Sequence, residues 1–182
     1  MFPTWDSDLF KLINTSHSEH WDILMIMFSN KYIWIPLYLL IIKKLFDQYK
    51  KQAWKSILYL ISTVALADQI SSSVLKPIVK RLRPCHVEAF QSWIHVPDGC
   101  GGMYGFCSSH AANSFALAMA IYLISKTKRT GYILFFWAFV IGYSRIYLGA
   151  HYPIDVFVGA AIGIFSTLVL KNVLYDKLVK NA

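Results

Sequence analysis

Residues 154–174 read IDVFVGAAIGIFSTLVLKNVL, with one acid at the start and no further charge until Lys171. A helix rises about 1.5 Å per residue, so roughly 20 mostly apolar residues cross the hydrocarbon core of a bilayer. This stretch has the length and the composition of such a span. Working outward, residues 132–148, 111–125, 54–75 and 32–48 give four more candidates. The earliest has two readings, because residues 22–29 are also apolar and Lys31 sits between the two pieces. Either one kinked helix runs through residues 22–46, or residues 5–28 form amphipathic helices at the interface and the span starts after Lys31. The second is preferred, since a lysine at mid-bilayer costs about 2.5 kcal/mol or more.

Composition supports a membrane protein. The chain has 182 residues, 56% of them hydrophobic and only 15% charged, against about 25% charged in ordinary soluble domains. Its 12 Phe, 11 Tyr and 6 Trp exclude disorder, which requires little to bury. The N-terminus lacks the basic region, apolar run and small-residue cleavage site of a removable signal peptide. Repeats and low-complexity tracts are absent. The expected fold is all-α: a single domain over residues 1–182, an integral membrane helical bundle with about five transmembrane helices plus N-terminal interfacial helices.

Charge gives the topology. The net charge is +8, from 18 Lys/Arg and 10 Asp/Glu. Lys43, Lys44, Lys50, Lys51 and Lys55 lie in the first connection, Lys126, Lys128 and Arg129 in the third, and Lys171, Lys177 and Lys180 in the tail. Basic connections stay in the cytoplasm, so the N-terminus is placed outside and the C-terminus inside. Asp6, Asp8, Glu19, Asp22, Glu88 and Asp98 then fall outside. Lys76, Lys80, Arg81, Arg83 and Arg145 fall on the wrong side for the rule. Binding to anionic head groups explains them plainly, and a phosphate site explains them more sharply.

Chemistry-bearing residues gather at the outer ends of the spans. After the second comes Lys76-Pro-Ile-Val-Lys-Arg-Leu-Arg83-Pro84, and the third opens with Phe106-Cys-Ser108-Ser109-His110. Between the fourth and fifth lies Ser144-Arg145-Ile-Tyr-Leu-Gly-Ala-His151-Tyr-Pro-Ile-Asp155. Phosphoryl transfer spreads negative charge over equatorial oxygens, which fixed Lys and Arg donors stabilise. Ser108 and Ser109 precede a helix whose N-terminal amides can face an anion. One imidazole can attack phosphorus while another protonates the leaving oxygen. If the fifth helix begins near Pro153, the Asp155 carboxylate can hold the His151 ring and fix the attacking nitrogen.

These segments resemble the type-2 phosphatidic acid phosphatase superfamily, whose motifs read K-x6-R-P, P-S-G-H and S-R-x5-H-x3-D. Lys76, Arg83 and Pro84 match the first, and Ser144, Arg145, His151 and Asp155 the third. The middle motif is partly kept: Ser108 and His110 match, while Cys107 replaces its proline and Ser109 its glycine. The resemblance covers residues 76–155. It implies that His151 forms a phosphohistidine, that Asp155 orients it and that His110 is the general acid. It further implies that Lys76, Arg83, Ser108, Ser109 and Arg145 hold the phosphate, with no metal or other cofactor. Ser109 either donates through its amide or substitutes its hydroxyl.

The function expected from this is an integral membrane lipid phosphatase on the outer, periplasmic face of a bacterial inner membrane. Its partners are the bilayer and a lipid substrate, with no nucleic acid. Undecaprenyl diphosphate is the first substrate expected, a lipid A phosphate the next, then phosphatidylglycerophosphate or phosphatidic acid. The other class is a non-catalytic protein that only binds anionic lipid. Cys85 and Cys100 share the outer loop, where an oxidising compartment permits a disulfide. Together with His86 they fit no standard zinc spacing. Lys80 and Arg81 are expected to be surface cations pairing with lipid phosphate. Asp68, inside the second span, is expected to make structural hydrogen bonds to protein.

Overall fold

The computed structural model describes residues 2–180, with backbone only from residue 177 on. The side chains of Lys177 and Lys180, counted above among the tail cations, therefore lie outside the described residues. The helices are α1 (Thr4–Thr15), α2 (Glu19–Ser29), α3 (Ile35–Tyr49), α4 (Ala53–Asp68), α5 (Lys76–Val79), α6 (Ser109–Ile124), α7 (Lys128–Tyr147) and α8 (Pro153–Leu170). Wide π turns at Gln69–Leu75 and Lys171–Lys180 extend α4 into α5 and prolong α8. Among the described residues there is no strand, only an isolated pairing of Leu82 with Tyr104.

Each boundary has a local cause. The backbone leaves the helix at Asn30 (φ −80°, ψ 113°), whose side chain accepts from the Tyr32 amide. Residues 22–46 are thus two helices with a break, not one kinked span. Pro36 sits in the first turn of α3, where its missing N–H costs nothing. Lys50 and Lys80 take positive φ (52° and 51°) and end α3 and α5. Ser108 caps α6, its Oγ accepting from the Ala111 amide. Pro153 opens α8, where the Asp155 carboxylate reaches back to the Tyr152 N–H at 3.1 Å.

α6 is the central helix, packed against α4, α7 and α8. Ala111, Ala112, Ala116, Ala118 and Ala120 are fully buried, and small side chains let neighbouring backbones approach. At Gly159 and Gly163 of α8, a Cβ would stand 2.4 Å from the Ser108 carbonyl and 2.2 Å from that of Ala112. Within a membrane, helices gain little from burying apolar surface and associate through such close packing. The outward faces are apolar instead: Phe157 and Phe136 are 75% and 70% exposed, as lipid-facing side chains must be. Two stretches, Lys31–Val79 and Pro153–Asp176, are long and apolar enough to span.

The two ends of the bundle differ in chemistry. At one end the first and third connections meet: Lys44 bonds Thr130, and Gln48 and Tyr49 both donate to the Ile124 carbonyl. At the other, α1 and α2 pack over the tips of α7 and α8. Phe10 of α1 is buried among Phe90, Trp93 and Tyr152. Asn14 donates to the carbonyls of His95 and Tyr147 and accepts from the His95 amide. The N-terminal helices are therefore fastened to the loop of residues 84–106 and to the end where the three motifs meet.

Candidate active site

His151 lies in the short connection between α7 and α8, held by its amide to the Arg145 carbonyl at 3.1 Å. Its Nδ1 is 3.5 Å from Asp155 Oδ2, and its Nε2 faces Arg83 Nη1 at 3.5 Å. The ring is 1% exposed and Asp155 fully buried. Burial disfavours the imidazolium, and the nearby charges of Arg83, Arg145 and Lys76 oppose it further, so the pKa of His151 falls well below its ordinary value. The Asp155 carboxylate comes within 3.5 Å of Nδ1 without a hydrogen bond among the described residues, and Nε2 is the nitrogen on the arginine side of the site.

The first motif reaches the site through a sharp turn. Lys76, in the last helical turn before Lys80, donates from Nζ to Ser109 Oγ at 2.9 Å. Beyond Lys80 the chain runs extended beside residues 103–105. Arg83 donates its amide to the Met103 carbonyl at 3.0 Å, and Gly105 donates to that of Arg81 at 2.8 Å. This pairing seats Gly105 against His151 and Asp155: a Cβ there would lie 3.1 Å from Asp155 Oδ2 and 3.5 Å from His151 Nδ1. A side chain at this position would enter the space of the histidine–carboxylate pair.

The guanidiniums of Arg83 and Arg145 are placed to receive an anion. Arg83 Nη1 donates to the Ala150 carbonyl at 3.4 Å, and Arg145 Nη1 bonds Ser29 Oγ. The Nε–H groups of both are buried with no acceptor among the described residues. Two orphaned cationic donors beside His151 match a phosphate, which takes bidentate and charge-assisted bonds. Ser108 is spent differently: it is fully buried, its Oγ caps α6, and its amide donates to the Asp155 carbonyl at 2.9 Å. Ser109 is the serine that meets a cation and faces open space. Burial pushes the Cys107 thiol up to about 11, which leaves it protonated and inert between these motifs.

Arg81 corrects the sequence-based expectation. It is no surface cation: its side chain is 9% exposed and bridges Asp155 Oδ1 at 2.8 Å and Asp6 Oδ2 at 2.6 Å. The rings of Phe2 and Tyr152 enclose its guanidinium at 3.8 and 3.7 Å. Asp6, itself fully buried, also accepts the Ile154 amide at 2.8 Å. The Asp155 carboxylate, 3.5 Å from His151 Nδ1, is thus anchored through Arg81 to the first helix. The only sequence signal was an excess of outer cations over the three motif positions, with acids clustered on the same side.

Cys85 and Cys100 are joined by a disulfide that closes the loop beside Arg83, and Cys107 is free. His86 packs on this loop through the Gly101 carbonyl at 3.2 Å. His17 and His95 stack on each other, and His95 pairs with Asp22 at 2.8 Å. These histidines have structural partners away from the motifs.

His110 and Ser109 stand at the head of a cavity of about 750 Å³ between α2, α3, α4, α6 and α7. Its walls are mainly apolar, with Val64, Leu117, Trp137 and Ile141 among them, and Ser29, Lys31, Asp68, Asn113 and Ser114 interrupt them. His110 is within electrostatic reach of His151, Arg145, Arg83 and Lys76, so one cationic cluster serves both imidazoles. An anionic head with apolar chains fits this division of space.

A model of the PAP2 superfamily matches residues 52–178. A lipid A 4'-phosphatase of Bacteroides thetaiotaomicron is 38% identical over 166 residues, covering 88% of this chain and 72% of the relative. A second protein of that name, from Porphyromonas gingivalis, is 32% identical over 178 residues, covering 94% and 74%. The crystal structure of a transmembrane PAP2 type phosphatidylglycerolphosphate phosphatase from Bacillus subtilis superposes with a TM-score of 0.74. It covers 97% of this chain and 86% of the other at 20% identity, which establishes a shared fold.

Proposed function

Since the chain belongs to the PAP2 superfamily of membrane lipid phosphatases, we propose that it hydrolyses a phosphate of lipid A through a phosphohistidine at His151. The lipid A relatives support this substrate over undecaprenyl diphosphate, the sequence-based first expectation, and over phosphatidylglycerophosphate or phosphatidic acid. The observation that carries the reading is the cavity. It begins at His110 and Ser109 and continues as an apolar chamber of about 750 Å³ between helices, so a phosphate at the cationic head leaves its chains among hydrocarbon.

In the first step the Nε2 lone pair of His151 forms a bond to phosphorus while the bond to the lipid oxygen breaks, and His110 gives that oxygen a proton. Asp155 stabilises the charge that develops on the ring. Lys76, Arg83, Arg145 and Ser109 hold the three equatorial oxygens. In the second step His110 takes a proton from water, whose oxygen attacks phosphorus as the P–N bond breaks, releasing inorganic phosphate. Uncatalysed phosphate-monoester hydrolysis is among the slowest of reactions, and electrostatic stabilisation by fixed cations is the largest single contribution such a site makes.

About five spans form one domain over residues 1–182, and the site faces the periplasmic side of the bacterial inner membrane. The support is the segregation of the connection lysines to the opposite end of the bundle from Arg83 and His151. The test follows released phosphate from purified protein in detergent, with and without EDTA, for wild type, His151→Ala and His110→Ala. Release by wild type alone is expected, unaffected by EDTA. Equal release from all three would contradict the phosphohistidine mechanism, and no release from wild type would leave the non-catalytic lipid-binding alternative.

A further inference from the structure

Asp68 and Asn113 form a hydrogen-bonded polar pair in a mainly apolar chamber whose wall also carries Ser29, Lys31 and Ser114. Asn113 lies three residues after His110, on the same face of α6, and Asp68 comes from α4 opposite. Both line the cavity that His110 and Ser109 head. Asn113 Nδ2 donates to Asp68 Oδ1 at 2.9 Å, and Ser72 approaches the same oxygen at 3.5 Å. Asn113 Oδ1 is buried without a partner among the described residues.

One amide N–H is committed to the carboxylate and a second remains, and the atom of the pair left with no partner among the described residues is an acceptor, Asn113 Oδ1. A carboxylate accepts only, and a half-used amide adds one further acceptor. A ligand that satisfies them must bring hydrogen-bond donors, close to the oxygen that His110 protonates, with apolar chains beyond. An acid kept within a membrane span is costly and marks a pathway for substrate more often than bare packing.

We infer that Asp68 and Asn113 form a leaving-group subsite that selects lipid phosphates whose phosphate sits on an acylated amino sugar. Such a leaving group carries amide N–H and hydroxyl donors next to the phosphoester, followed by acyl chains. A polyprenyl diphosphate presents a second phosphate at that place, which brings acceptors and negative charge toward the Asp68 carboxylate. The pair thus favours the first and repels the second. The inference rests on the lipid phosphatase reading and specifies what that site recognises.

The test measures kcat/KM for wild type, Asn113→Leu and Asp68→Asn, as full-length protein in detergent, on lipid A and on undecaprenyl diphosphate. Thermal unfolding of each variant reports its fold separately. Asn113→Leu is expected to lose about 10- to 100-fold on lipid A and to change less than about threefold on undecaprenyl diphosphate, because a site built to bond a donor is damaged only for ligands that carry one. Asp68→Asn is expected to lose on lipid A and gain on the diphosphate. Parallel losses on both lipids, or no change on either, would overturn the inference while leaving a phosphatase. No release from either lipid by wild type would overturn the phosphatase reading itself.

Discussion

Replacing Asp6 by asparagine perturbs the anchor of Asp155 and His151 without touching any residue proposed to hold the phosphate. Asp6 is fully buried and holds Arg81 at 2.6 Å and the Ile154 amide at 2.8 Å. Asparagine keeps one acceptor and gives up the charge. A hydrogen bond to a charged group contributes about 1.5–3 kcal/mol and a neutral one about 1 kcal/mol, so the loss is roughly 1–2 kcal/mol. At about 2–4 °C per kcal/mol for a chain of this size, Tm should fall by about 2–8 °C. Alanine is harsher, because it removes the Ile154 partner as well and leaves Arg81 with one counter-ion; breaking a buried pair in this way costs about 3–5 kcal/mol. Turnover should fall further than stability implies. Arg81 bonds Asp155, whose carboxylate lies 3.5 Å from His151 Nδ1, and a displacement of about 1 Å at a reacting group costs on the order of 100-fold. The assay is steady-state phosphate release beside thermal unfolding in the same detergent. A kcat lowered about 10- to 100-fold with KM nearly unchanged is the expected result for Asp6→Asn, by the same displacement argument. A lowered Tm with kcat within about twofold of wild type would refute it, since α1 would then support the fold and not the histidine.

Three further perturbations have defined outcomes. His151 is held below its ordinary pKa, so below about pH 6.5 the unfolded chain binds a proton that the folded one refuses, and stability declines as pH falls until the folded value is reached; unfolding temperatures of wild type measured from pH 8 to 5 should fall more than those of His151→Gln. Reducing the Cys85–Cys100 bond releases a loop with a separation of 15 residues, which should cost about 3 kcal/mol by loop entropy; a lowered Tm and a raised KM are expected under dithiothreitol, and neither in Cys85→Ser/Cys100→Ser. Gly163→Val puts a Cβ where only 2.2 Å separates it from the Ala112 carbonyl, and this variant should not yield a monodisperse protein on gel filtration.

The apolar runs made the helices legible, because a membrane span must be continuous, apolar and about 20 residues long. The motif spacings made His110, His151, Asp155, Lys76, Arg83 and Arg145 legible as a group, since each motif sits at a helix end on one side. Position within the group was not legible. Ser108 and Ser109 are adjacent in sequence, yet one caps α6 and the other meets Lys76. Arg81 has the composition of a surface cation, and its burial depends on Asp6, 75 residues away. Pairings over such distances leave no period or spacing in a single chain. Asp68 was legible as an intramembrane acid with a protein partner, but neither Asn113 nor the shared cavity follows from the sequence.

The proposed mechanism passes phosphate through covalent attachment to His151. Rapid acid-free quenching of a turnover with lipid A, followed by peptide mass spectrometry, tests it directly. A base-stable, acid-labile phosphoryl group is expected on the peptide carrying His151, present in wild type and absent in His151→Ala. Steady phosphate release with that peptide unmodified at every quench time, or release undiminished in His151→Ala, would contradict it.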